Sequence, residues 1–284
     1  MIEAIASFFG IIIRFIYELV NNNYLISILL FTFLTKLILL PLTLMQIKST
    51  EKIQEITPKD AEIREKYKND KQKQAEELSK LYSENKINPM GGCLPLLIQL
   101  PIILAMFYIV KQPLTYITQT PAEDIKNYTA TYLNKSVEEV SENEIKAYEI
   151  QIAEKNNLID MEVGFGINLG DTPSNVFSKD EANKAHPISL LIPVLTVVFS
   201  ILQTKIMQKN SNMTDEQKEM QKSSNMMLPI MSGIIAYTMP LALGVYWLFG
   251  NVLQIIQQFI ISKVTKRKKK VLELNKGGVI NEKN

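Results

Sequence analysis

Residues 25–44 read LISILLFTFLTKLILLPLTL, a run whose only charge is Lys36. At about 1.5 Å of rise per residue, about 20 helical residues match the roughly 30 Å hydrocarbon core of a bilayer. Lys36 then lies nearer the middle than the ends, beyond easy snorkelling range. A charge at that depth costs at least about 2.5–3.5 kcal/mol on insertion scales, and such side chains usually face a cavity or an opposite charge. None of the long apolar stretches contains Asp or Glu, so Lys36 has no intramembrane acid as a partner. The remaining way to solvate it is water inside the bilayer, in a hollow lined by protein.

The same composition recurs along the chain. Of 284 residues 46% are hydrophobic, and the apolar ones are gathered into runs at 24–44, 94–110, 188–207, 226–239 and 243–261. Charged segments separate them. The fourth run is short and needs flanking residues or local bilayer thinning to span. Pro41, Pro95, Pro101, Pro193, Pro229 and Gly233 lie within or beside these runs, which spans tolerate when neighbours satisfy the freed backbone. The expected fold is all-α and polytopic, with five transmembrane helices. A single cysteine, Cys93, excludes an internal disulfide and a cysteine-based zinc site. It lies too far along to be a lipoprotein cysteine, and beside Gly91 and Gly92 it reads as a small packed residue. The start shows no basic region or cleavage pattern of a signal peptide.

Charge sets an expected orientation. Lys263, Lys266, Arg267, Lys268, Lys269 and Lys270 follow directly on the last run, a strong positive-inside signal. Residues 113–187 carry six Lys against thirteen Asp plus Glu, a net −7; this agrees with the outside, although long loops cross largely regardless of charge. The carboxyl end is therefore placed in the cytoplasm and the amino end outside. The expected organisation is an interfacial helix over 1–23, the first two spans over 24–112 with a cytoplasmic hairpin at 46–93, an acidic extracytoplasmic loop over 113–187, spans three to five over 188–262, and a basic cytoplasmic tail over 263–284.

In the first segment Glu3, Ser7, Gly10, Arg14 and Glu18 share a stripe about 80° wide at about 100° per residue, and apolar side chains cover the rest. That pattern predicts an amphipathic helix lying on the membrane; a sixth span is the competing reading. In the hairpin, Thr57-Pro58-Lys59-Asp60 predicts a helix start, with Thr57 as cap and Pro58 at the first position. The helix runs to about Lys68, Asn69-Asp70 break it, and a second follows from Lys71 to about Glu84. Ala75, Leu78, Leu81 and Tyr82 form its apolar side. Ten Lys or Arg against nine Asp or Glu over residues 45–93 make the remaining faces solvated: a spacer, or a docking surface for a client or partner.

Polar residues inside the runs fall on stripes. Thr32, Thr35, Lys36 and Thr43 occupy about 100° of arc. Thr196, Ser200 and Gln203 recur at intervals of four and three, Asn251, Gln254 and Gln258 at three and four, and Gln99 lies in the second run. Singly, such residues often bridge helices at about 0.6 kcal/mol each; together with an unpaired lysine they point to one polar hollow. No nucleophile motif accompanies the lone His186, no phosphate-binding loop is present, and no repeat of the transporter kind is visible.

Residues 88–102, NPMGGCLPLLIQLPI, resemble the loop-to-second-span signature of the YidC/Oxa-type membrane protein insertases. Residues 65–70 (EKYKND) with 80–82 (KLY), residues 39–43 (LLPLT) and residues 244–247 (GVYW) are similar to further parts of that pattern. The resemblance covers roughly residues 1–112 and 160–270. It implies five spans around a positively charged hydrophilic groove, open to the cytoplasm and lipid and closed outside. It also implies insertion and folding of membrane proteins, alone or beside the Sec translocon, without nucleotide hydrolysis, in a bacterial cell membrane. Lys36 matches the groove's basic position, usually Arg; unlike Arg, a Lys can lose its proton when desolvated. Gln203 and Trp247 resemble other groove-lining positions. The implied groove set is Lys36, Thr32, Thr35, Gln99, Thr196, Ser200, Gln203, Trp247, Asn251 and Gln254.

The implied partners are nascent membrane proteins, the Sec translocon, membrane lipids and, through the basic tail, the ribosome. No cofactor, metal, small-molecule substrate or catalytic residue is expected. Residues 118–160 match no part of the pattern; they are Glu-rich and Gly-poor, which suggests helices with a solvated face. A small-solute channel or transporter is the alternative reading of an intramembrane lysine. An intramembrane enzyme, with only His186 as base, and a specialised paralogue with few clients complete the set.

Overall fold

A computed structural model describes residues 2–87, 94–179, 184–208 and 215–280. Helix dominates. α1 (Ile2–Leu19), α2 (Tyr24–Ile38), α3 (Leu40–Lys66), α4 (Lys71–Glu84) and α5 (Leu94–Lys111) lead into a π-helical turn (Leu114–Thr118). α6 (Ala122–Leu133), α7 (Glu142–Lys155) and a β1–β2 hairpin (Glu162–Gly164, Ile167–Asn168) follow, then α8 (Leu191–Gln208), α9 (Asp215–Thr238) and α10 (Leu241–Ile280). The segments Pro187–Ile206 and Leu241–Val264 are long and apolar enough to cross a membrane. The pair α2 plus Leu40–Ile53 also qualifies if it is one span bent by 52°, and Gln99–Lys111 and Met226–Thr238 are shorter apolar helices. Residues 88–93, including Cys93 and the start of the resemblance motif, lie outside the described residues.

The first apolar run is thus two helices. Pro41 sits at the start of α3; without an N–H it cannot continue the α2 hydrogen-bond ladder, and its ring disfavours helix just before it. The break falls at Leu39, one turn beyond Lys36. The Thr57 cap is overturned as well. α3 runs through Pro58 without interruption, and the Thr57 hydroxyl donates to the Ile53 carbonyl at 2.9 Å instead of capping. One missing backbone bond is tolerated because α3 is held by its partner.

That partner, α4, has the expected bounds, with the Asp70 carboxylate capping the Lys73 N–H at 3.0 Å. The contact face differs: Gln74 is buried and donates to the Arg64 carbonyl at 2.8 Å, while Ala75 is exposed. Ile56, Leu81 and Ile87 form a small core. Beside it the buried Asp60 accepts from Arg64 Nε at 2.5 Å and from Tyr82 Oη at 2.6 Å. Burial and the Asp60 carboxylate push the Tyr82 hydroxyl up to about 12.

The larger core joins α1, α2, α5, the π turn, α7 and the start of α10 through Ile13, Ile28, Phe31, Met106, Leu114, Ile152 and Leu243. α1 buries Ala6, Gly10, Ile13 and Tyr17 against α5, α2 and the turn, leaving Phe8, Ile11, Phe15 and Leu19 exposed. A Cβ on Gly10 would stand 3.0 Å from the Tyr116 carbonyl oxygen, which explains glycine at that approach. Within residues 118–160, α6 and α7 are the helices expected there. The Glu149 side chain of α7 is fully buried and accepts from the Thr115 N–H at 2.6 Å and its hydroxyl at 3.0 Å. Burial lifts its carboxyl from the ordinary 4.5 to about 7, although the Thr115 bonds act the other way. The hairpin region anchors α10: the Leu241 and Ala242 N–H groups donate to the Asp171 and Leu169 carbonyls at 2.7 and 2.9 Å, satisfying donors that a helix start leaves open.

Candidate functional site: a polar seam along α10

α10 packs along α8 and α2 and also touches α5. Its polar residues are spaced so that each of these neighbours receives one. Toward α2, Lys36 Nζ donates to Gln254 Oε1 at 3.0 Å. Gly250, one turn earlier on α10, faces the same pair: a Cβ there would stand 3.7 Å from Lys36 Cε and 3.9 Å from Thr32 Cγ2, ordinary contact distances. Toward α8, Asn251 Nδ2 donates to the Thr196 carbonyl at a long 3.5 Å. Toward α5, Gln99 Nε2 donates to Tyr246 Oη at 3.1 Å.

The hydroxyls near Lys36 are occupied within their own helix. Thr32 donates to the Ile28 carbonyl at 2.6 Å and Thr35 to the Thr32 carbonyl at 2.8 Å. Thr196 likewise donates to Ile192 at 2.8 Å. Thr32, Thr35, Thr196, Ser200 and Asn251 are buried; Lys36, Gln99, Gln203, Trp247 and Gln254 are half-buried. Lys36, Thr32 and Gln254 are therefore brought together, Thr196 with Asn251 forms a second pair, and Gln99 lies at a third point on α10. Gln203 and Trp247 make no hydrogen bond to the others among the described residues.

An ammonium has three donors, and the partner of Lys36 is an amide, not a carboxylate. A neutral acceptor does not itself neutralise that charge. Tyr246 and Gly250 were not among the residues marked by the sequence stripes. Tyr246 reads as part of an apolar run. Gly250 lies four residues before Gln254, on the same helical face.

The comparisons with known proteins agree on one family. Residues 15–269 match the family described as 60Kd inner membrane protein. Over 252 residues the chain is 29% identical to the membrane protein insertase YidC of Clostridium perfringens, covering 88% of this chain and 83% of that one. The Fusobacterium nucleatum protein of the same name is 31% identical over 85% of this chain and 87% of its own. That of Caldanaerobacter subterraneus subsp. tengcongensis is 29% identical, with 92% and 96% covered. With nearly its whole length matched and its polar residues set along apolar helices, the chain belongs to the 60Kd inner membrane protein family, together with these YidC relatives.

Proposed function

We propose that the chain is an insertase and folding chaperone for membrane proteins, working through a hydrated, positively charged groove around Lys36. The observation that carries this reading is a lysine within an apolar helix whose partner, among the described residues, is a single amide. Five spans are assigned: α2 with the start of α3, α5, the apolar part of α9, α8, and the apolar part of α10. The groove set is Lys36, Thr32, Thr35, Gln99, Thr196, Ser200, Gln203, Trp247, Asn251 and Gln254. A water-filled hollow shortens the path of a polar client tail through hydrocarbon, and the lysine attracts acidic residues in that tail. The client's apolar segment moves sideways into lipid, and its transfer at about 25 cal/mol per Å² supplies the driving force.

The orientation follows from charge: hairpin and tail in the cytoplasm of a bacterial cell, residues 113–187 outside. Cysteines placed at 71–80 should resist an impermeant thiol reagent in intact cells, and those at 138–149 should react; the opposite pattern overturns the orientation. The Sec translocon and the ribosome are assigned as partners, the latter through the basic tail. Truncation after Lys263 should reduce ribosome co-sedimentation, and equal binding across a salt series rejects that contact, because phosphate binding weakens steeply with salt.

Lys36→Arg should preserve insertion. Lys36→Ala and Lys36→Glu should slow it by on the order of tenfold, equivalent to about 1.4 kcal/mol, most for clients with acidic translocated tails. Normal insertion of such a client by the Glu variant, at normal protein level, removes the electrostatic role.

A further inference from the structure

Between α2 and the N-terminal part of α10 lies a cavity of about 310 Å³ that the polar seam does not use. Leu25 and Leu29 of α2, Leu248 and Phe249 of α10, and Val163 and Ile167 of the β1–β2 hairpin line it, and every other lining residue is apolar. Beside it on α2, Ile26 and Leu30 are exposed, so the lining is continuous with an exposed apolar face of the helix. Such a site offers water no partners. An apolar cavity of about 150 Å³ stays dry and accepts benzene, and this one is about twice as large. A client helix is too big: two turns about 10 Å across fill on the order of 800 Å³. An extended hydrocarbon chain fits both the volume and the lining.

The hairpin supplies an independent observation. Its tip is Val163-Gly164-Phe165-Gly166-Ile167, and Phe165 is 90% exposed. Gly164 and Gly166 have φ of +93° and +77°, and Phe165 itself has φ +55°. A bulky residue is uncommon in that conformation. Two glycines thus make a turn whose effect is to hold a phenyl ring away from the protein, beside the mouth of an apolar cavity. Asp160 and Glu162, at the base of the hairpin, are exposed, so a zwitterionic headgroup suits the site better than an anionic one.

We propose that the cavity holds one acyl chain of a zwitterionic phospholipid and that the Phe165 tip is embedded in the same leaflet. This rests on α2 and α10 spanning the membrane, and not on the insertase role. The test uses the full chain in nanodiscs of phosphatidylcholine carrying a diazirine midway along one acyl chain. Irradiation should give adducts around Leu29 and Leu248, and Leu29→Trp with Leu248→Trp should abolish most of them while adducts at lipid-facing Phe33 and Ile256 persist. In a Cys93→Ser background, an environment-sensitive fluorophore on Phe165→Cys should shift to the blue and be quenched by lipid with a nitroxide near the head of its chain. A fluorophore on Glu142→Cys should do neither.

Equal adduct yields from the filled and unfilled proteins overturn the cavity assignment, and an unquenched label at position 165 overturns the embedded tip. Cross-linking of a stalled nascent chain to Leu29, with loss of the lipid adducts, makes this a client site and also overturns it. Wild-type protein that inserts clients normally but gives no cavity adduct refutes only this inference. Intact adducts in a protein that inserts nothing refute only the function.

Discussion

Glu149 of α7 and Lys36 of α2 are two ionisable side chains that are held in opposite ways. Glu149 is fully buried and receives two donors from one residue, the N–H and hydroxyl of Thr115. Lys36 is half-buried and meets one amide oxygen, that of Gln254. The first arrangement joins α7 to the π turn after α5 and leaves the carboxylate little to offer anything else. The second leaves donors and charge in hand. A buried polar group that serves structure is expected to be satisfied, since an unmade hydrogen bond costs about 1–3 kcal/mol. A group kept for a guest is left short of partners and must be solvated meanwhile, and that water is what the proposed groove supplies.

The largest effect should come from removing the satisfied group. Glu149→Ala leaves the Thr115 donors without their acceptor and should destabilise the packing of α7 on the turn by about 1–3 kcal/mol, read as a lower unfolding midpoint in detergent. An unchanged midpoint would mean that Glu149 is no more structural than Lys36, and the contrast would collapse.

A pH series sharpens the same point. The Glu149 carboxyl lies at about 7, above its ordinary 4.5, because burial disfavours the charge. Its contribution to stability is therefore complete below about 4.5 and is lost as pH rises through about 7. The wild-type protein should be more stable at pH 5 than at pH 8, and Glu149→Gln, neutral throughout, should flatten most of that difference. Asp171, raised to about 6 by burial and by Glu154, and Glu154, raised by burial, change stability in the same direction and contribute to the slope that remains. A variant with the full wild-type slope would place the titrating group elsewhere.

How far these sites were legible in the sequence follows from the range of the interactions involved. Lys36 was legible because one charge in an apolar run has few physical solutions, and α4 because Asn69-Asp70 and its helix formers are local signals. The α2–α3 break was written in Pro41, but the length of the apolar run outweighed it. Thr57-Pro58 misled because Pro at a helix start and Pro inside a supported helix look alike locally; only the packing of α4 separates them. Gln254 was marked by its stripe, yet its bond to Lys36 spans 218 residues, which no local pattern encodes. Glu149 carried no signal, being one acid among many in an acidic segment. The hairpin 162–168 was likewise not anticipated, although Gly164-Phe165-Gly166 is a turn signal in retrospect.

The smallest effect, and the most discriminating, should follow Gln254→Leu. The substitution removes the one acceptor that Lys36 meets among the described residues while keeping a side chain of similar size on α10. In a dry interior, an ammonium stripped of its partner would be penalised by several kcal/mol. In a hydrated groove, water takes the place of the amide, and the loss should be near the 0.6 kcal/mol typical of a bond between membrane helices. The expected result is a barely shifted unfolding midpoint and near-normal insertion of acid-tailed clients, in contrast to the large effect of Lys36→Glu. Glu149→Ala is the matched control, since it separates a donor–acceptor set without water at hand. If Gln254→Leu destabilises the protein as much as Glu149→Ala does, Lys36 is a structural charge held by a structural amide, and the groove loses the argument on which it stands.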